Sequence, residues 1–153
     1  MATDAAAQRF FSSPNFAVAG ASSNPAKFGH KVFAWYLERG LNATPLNPAS
    51  ATISVHGNEY PTLPDVKSLS SPKDTSLSII TPPLVTIGVI LEARSVGIPS
   101  IWLQPGTYND EVLRLALEEG AFDAVLYGDG GMGAEGWCVL VDGDKARKAA
   151  GKL

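Results

Sequence analysis

The sequence predicts an α/β fold in three layers: a doubly wound, mostly parallel sheet with helices on both faces. Three observations lead there. Apolar strands alternate with helical segments along most of the chain, the pattern of successive β-α-β crossovers. Four of the strands finish in polar or turn-forming residues, Gly20-Ala21-Ser22, Asn47-Pro48, Thr81-Pro82-Pro83 and Gln104-Pro105-Gly106. The chain has 153 residues, 45% hydrophobic and 18% charged, which suits one domain with its own core and no metal or disulfide staple. That domain is expected to span residues 1–153.

Each element has a local reason. Thr3 or Asp4 caps a short helix through Phe11, which Ser12, Ser13 and Pro14 terminate. Phe16 to Ala21 is the first buried strand. Phe28, Val32, Tyr36 and Leu37 recur at helical spacing, and Gly40 supplies the stop. Ala43 to Leu46 is the second strand. Ala49 to Pro61 is rich in turn formers and reads as an irregular crossover around Gly57-Asn58, with a helical turn after Pro64. Leu77, Ile79 and Ile80 mark the third strand and Leu84 to Val96 a helix that Pro82-Pro83 starts. Ser100 to Leu103, Asn109 to Glu119 and Ala124 to Tyr127 then give strand, helix and strand. Gly128 to Trp137 is glycine-rich and reads as a flexible connection, or as a segment folding over a pocket. Cys138 to Gly143 reads as a last strand and turn.

Composition excludes several classes. A net charge of −3 provides no basic field for nucleic acid, and the group Lys145, Arg147, Lys148 and Lys152 is the solvated face of a terminal helix. The single Cys138 forms no intrachain disulfide, and two histidines make no zinc-like cluster, so no metal is expected. Leu77 to Leu91 is broken by Ser78, Thr81, Pro82, Pro83 and Thr86 and does not span a bilayer. The N-terminus lacks the apolar core of a signal peptide, and Asp4 argues against a transit peptide. A cytoplasmic protein is expected.

The chemistry concentrates at Phe16 to Gly29, where a strand runs into a polar, glycine-bearing turn and then a helix. Such a turn exposes backbone N–H groups at a helix start and attracts a phosphate. A dinucleotide fingerprint would carry glycines where this chain has Gly20, Ser22 and Pro25. The second strand ends in Asn47-Pro48, where an NAD-binding unit carries a carboxylate for the ribose. A neutral side chain tolerates a phosphorylated ribose better, because like charges repel at short range. Coenzyme A, with its 3′-phosphate, or NADP suits this tip. In a parallel sheet with right-handed crossovers the four polar tips share one edge, so they are expected to converge on one cleft.

Val18 to Gly29, Pro45-Leu-Asn-Pro48, Thr81-Pro-Pro83 and Ile101 to Gly106 together resemble the stand-alone CoA-binding domain proteins, which are similar to the nucleotide-binding domain of the succinyl-CoA synthetase α subunit. The resemblance runs from about Phe11 to Tyr127. It implies a Rossmann-like domain that binds CoA or an acyl-CoA. By position, Gly20, Ala21, Ser22, Asn24, Lys27 and Phe28 would surround the diphosphate, and Asn47 and Pro48 would border the adenosine. Thr81, Pro82 and Pro83 would flank the pantetheine, and Gln104, Pro105 and Gly106 would face its far end. The resemblance supplies no reaction and no catalytic residue.

Plainer roles stand beside these. His30 either touches a phosphate or is a partly exposed helix histidine, and His56 is a surface residue. Lys27 is unfavourable at a helix start unless an anion is near. Gln104 is divided between turn and ligand roles. Cys138 is a small buried hydrophobe or, less simply, the partner of a CoA mixed disulfide. Three functions follow: a non-catalytic CoA or acyl-CoA binding protein acting as carrier, sensor or regulatory subunit; an NADP- or CoA-dependent enzyme; or a partner-binding module with a vestigial pocket. The all-round apolar helix Leu84 to Val96 further suggests a homodimer.

Overall fold

The computed structural model describes residues 4–127 and 139–151. Thr3, the segment 128–138 with Cys138, and Lys152 lie outside the described residues. In chain order the elements are α1 (Asp4–Ser12), β1 (Asn15–Ala19), α2 (Phe28–Glu38), β2 (Ala43–Leu46), β3 (Thr52–Val55), β4 (Asn58–Pro61), β5 (Thr75–Ile79), α3 (Pro83–Val96), β6 (Ser100–Leu103), α4 (Asp110–Ala116), β7 (Ala124–Leu126) and α5 (Val139–Ala149). Single 3₁₀ turns at Val66–Ser68 and Pro72–Asp74 sit between β4 and β5. The first of these is the turn expected after Pro64, and the Asp65 carboxylate caps it by accepting from the Ser68 N–H.

Five strands form one parallel sheet in the order β2-β1-β5-β6-β7. Strands β5, β6 and β7 are buried at every residue, as a sheet covered on both faces requires. Pro45 is tolerated because β2 lies at the edge, where a missing N–H costs no ladder bond. Alternate side chains feed two cores. Phe16, Val18, Trp102 and Leu126 meet α1, α2 and α5 on one face. Ala17, Leu77, Ile79, Ile101 and Leu103 meet α3 and α4 on the other. The result is the three-layer, Rossmann-like α/β architecture that the alternation of elements implies.

Strand β1 ends at Ala19 rather than Ala21 and helix α4 at Ala116 rather than Glu119, and two further elements differ in kind from the sequence expectation. The crossover after β2 contains an antiparallel hairpin, β3 with β4, turning at His56 (φ 51°) and Gly57 (φ 81°). Paired positive φ values make the tight turn that matches strand twist, and Ile53 and Val55 of β3 enter the core beneath it. The segment Val139–Gly143 is the beginning of helix α5 rather than a strand and turn. Val139, Asp142, Gly143 and Ala146 are buried at helical spacing, and a β-carbon on Gly143 would collide with the Trp35 ring. Packing against α1 and α2 overrides the β propensity of the valines.

Candidate functional site

The strand order places a topological switch point between β1 and β5. From there α2 leads to one face and α3 to the other, so their starts diverge and leave a crevice outside the strand tips. A cleft of about 470 Å³ lies there, lined by Gly20, Ala21, Ser22, Lys27, Phe28, Gly29, Leu46, Asn47, Pro48, Ile80, Thr81 and Pro82. Three of the four polar tips therefore meet, those of β1, β2 and β5. Asn24, Pro83, Gln104, Pro105 and Gly106 do not line this cleft.

The loop between β1 and α2 is built from short local bonds. Gly20 has φ 96°, and a β-carbon there would stand 2.8 Å from the Ile80 carbonyl oxygen, so only glycine allows β1 and β5 to end side by side. The Ser22 hydroxyl accepts from the Asn24 N–H at 3.1 Å, and the Asn24 carbonyl oxygen of the side chain accepts from the Ala26 N–H at 3.0 Å. Ser22 and Asn24 thus shape the turn with their own side chains. Ser23 Oγ accepts from the Ser54 N–H at 2.9 Å, which moors the hairpin to the loop.

Gly29 carries a role that the sequence pattern concealed. A β-carbon on it would overlap the Gly20 carbonyl oxygen, so this glycine lets α2 close against the loop. In a dinucleotide fingerprint the third glycine does this work; here it arrives later, at the second residue of the helix. The readable signal was a glycine in the first turn of an otherwise apolar helix. Leu46 and Ile80 also line the cleft and were concealed in the same way, as ordinary strand residues.

Helix α2 opens on the cleft without a side-chain cap. Its N-cap is Lys27, an extended residue (φ −84°, ψ 143°) whose type supplies no acceptor for the first-turn N–H groups. The first turn of α2 contains no acidic residue. Lys27 is exposed, and it makes no ion pair among the described residues. A cation at a positive helix end is unfavourable alone and favourable beside an anion. Helix α3 also starts at the cleft, with Pro82 at its N-cap and Pro83 inside the first turn. Thr86 Oγ1 lies 2.8 Å from Thr81 Oγ1 and donates to the carbonyls of Thr81 and Pro82, fixing that corner.

The other candidates fall as follows. His30 is buried rather than partly exposed, with Nδ1 2.9 Å from the Ser22 carbonyl. His56 is exposed and pairs with Glu38 at 3.1 Å. Gln104 is fully buried, and its side-chain oxygen accepts the Val139 N–H at 3.0 Å. Pro105 and Gly106 (φ 89°) form the turn that follows, closed by Thr107, whose N–H and hydroxyl both donate to the Gln104 carbonyl.

A family model described as the CoA binding domain matches residues 14–135. The chain belongs to the CoA-binding domain family. The match takes in all three clustered tips, and the family implies a CoA-type small-molecule ligand. Among solved structures, this CoA-binding domain is similar to a conserved hypothetical protein from Pyrococcus furiosus, with 31% identity over 72% of this chain and 90% of that one, and a TM-score of 0.62. A hypothetical protein from Pyrococcus horikoshii OT3 shares its fold with TM-score 0.74 at 21% identity, covering 94% of this chain and 92% of that one. A Thermus thermophilus protein does so with TM-score 0.71 at 22% identity, covering 94% and 98%. Among the described residues of the CoA-binding domain, no helix is long and apolar enough to cross a membrane.

Proposed function

We propose that the cleft binds CoA or an acyl-CoA, and that the protein is a cytoplasmic, non-catalytic carrier, sensor or regulatory subunit. One observation carries the reading: α2 opens on the cleft with Lys27 at its cap and its first-turn N–H groups uncapped by any side chain. A diphosphate there would satisfy the helix end and the lysine together. Around that point the lining consists of backbone, hydroxyl, amide and apolar groups, which suits holding an anion beside a hydrophobic body.

Calorimetric titration of ligand-stripped protein with CoA, acetyl-CoA, dephospho-CoA, NAD and NADP tests this. Saturable binding of CoA or acetyl-CoA is expected. A preference for NADP would instead make the protein a redox enzyme, and silence from all five would remove the ligand reading. A tighter complex with acetyl-CoA than with CoA would assign the acyl form.

A second reading concerns assembly. On α3, Leu84, Val85 and Leu91 are exposed, Leu84 by 84%, while Thr86 is buried on the opposite side. This favours a face that packs against a second copy of the chain. Sedimentation at micromolar concentration is expected to show a dimer, and a monomer would remove the idea.

A further inference from the structure

Two side chains hold successive carbonyls of the loop. Asn47 Nδ2 donates to the Ala21 carbonyl at 3.0 Å, while its Oδ1 accepts from the N–H groups of Ala49 at 2.8 Å and Ser50 at 3.2 Å. The Asn47 amide is therefore engaged at both ends. His30, reached from the first turn of α2, places Nδ1 2.9 Å from the Ser22 carbonyl. A carbonyl only accepts, so Nδ1 carries the proton, and in the neutral ring Nε2 is then the bare nitrogen.

These bonds have a directional consequence. In a trans peptide the C=O and the following N–H point to opposite sides. Tying the Ala21 carbonyl to Asn47 directs the Ser22 N–H away from Asn47, and tying the Ser22 carbonyl to His30 directs the Ser23 N–H away from His30. Neither N–H has a protein partner among the described residues. Left free, the Ser22 carbonyl could rotate toward the cleft and oppose an anion.

We propose that His30, together with Asn47, is a positioning residue that sets the loop peptides so that the Ser22 N–H serves a phosphate of the ligand while the Ser22 carbonyl is held away from it. The proposal rests on the reading that the cleft takes a CoA-type diphosphate. His30 acts through the loop and not by touching the anion. Its bond needs only Nδ1–H, which both the neutral and the cationic ring provide, so the device works without a change of charge.

Two measurements test it. Two-bond ¹H–¹⁵N correlation spectra of the wild-type protein in mildly alkaline buffer are expected to show the Nδ1–H tautomer of His30; the Nε2–H tautomer would overturn the proposal. CoA titrations then compare His30→Asn, whose amide donor falls near Nδ1, with His30→Gln, whose donor lies farther out, and with His30→Leu, which has none. Folding of each is checked by its melting curve. Affinity within about threefold of wild type is expected for His30→Asn, and a loss of about tenfold or more, ~1.4 kcal/mol, for the other two. A role in filling space alone would instead favour the bulkier Gln and Leu over Asn. Wild-type affinity in His30→Leu, or Asn as weak as Leu, would overturn the role of His30 while leaving the CoA reading intact. Wild-type protein that binds no CoA would overturn both.

Discussion

At the β1 tip the loop peptides of Ser22 and Ser23 keep their N–H groups free of protein partners among the described residues, while at the β6 tip the Gln104 oxygen is committed to the Val139 N–H. Both tips end parallel strands on the same edge, and both carry a polar residue followed by a turn. The difference lies in what packs over them. At β1 the chain leaves in a long loop moored by Ser54, His30 and Asn47, and a cleft remains. At β6 the start of α5 comes down on the tip, so the glutamine becomes part of the interior. A polar strand end thus borders either an open cleft or a helix anchor, and the covering element decides which.

The largest effect is expected at the β1 end. Gly29→Val would drive a side chain into the Gly20 carbonyl and force α2 away from the loop. A stability loss of about 3 kcal/mol and loss of measurable CoA binding are expected from thermal melts and calorimetry. Normal affinity would mean that the loop and helix need not touch. Lys27→Ala is the cleaner probe of the same end, because the residue is exposed and caps nothing through its side chain. It should weaken CoA by about 1.5–3 kcal/mol, the range for a hydrogen bond to a charged group, with little change in melting temperature.

The β6 end should respond in the opposite way. Gln104→Leu leaves the Val139 N–H unpaired, and a stability loss of about 1–3 kcal/mol is expected with CoA affinity nearly unchanged. A marked fall in affinity without loss of stability would place Gln104 with the ligand, and the contrast between the two tips would collapse.

The smallest effect concerns the clasp that holds α5 on α2. Arg39 donates to both Asp144 oxygens at 2.6 and 2.9 Å and stacks over the Trp35 ring at 4.3 Å. The hydrogen bond from Arg39 lowers the Asp144 pKa below the ordinary carboxylate value. A depressed carboxylate contributes stability above its unfolded pKa and loses it as pH falls through the folded one. Asp144→Asn should therefore cost under about 1 kcal/mol at neutral pH, since the pair is partly exposed, and the gap to wild type should close in acid. A gap that stays constant with pH would assign the effect to packing rather than charge.

Much of the sheet was legible in the sequence. Ala43–Leu46 and Ser100–Leu103 stand at their expected bounds, because short apolar runs between turn signals have few alternatives. Helix α3 begins at Pro83, as proline chemistry requires. The hairpin was concealed because its strands are four residues each and only Ile53 and Val55 are buried. The start of α5 was concealed because valines favour a strand locally, whereas the helix is selected by the faces of α1 and α2. Of the site, Gly20, Ala21, Ser22, Lys27, Phe28, Asn47, Pro48, Thr81 and Pro82 were readable and do gather.

By itself the sequence determined the layered α/β architecture, the strand-to-helix turn at Gly20, and the likeness to CoA-binding domains that the family match bears out, since periodicity and turn chemistry are local properties. Tertiary structure alone decided which tips share a cleft, that Gly29 closes the loop, and that His30 and Asn47 hold its carbonyls. Those outcomes depend on strand order and on contacts between residues far apart in the chain. No local pattern of side chains specifies them.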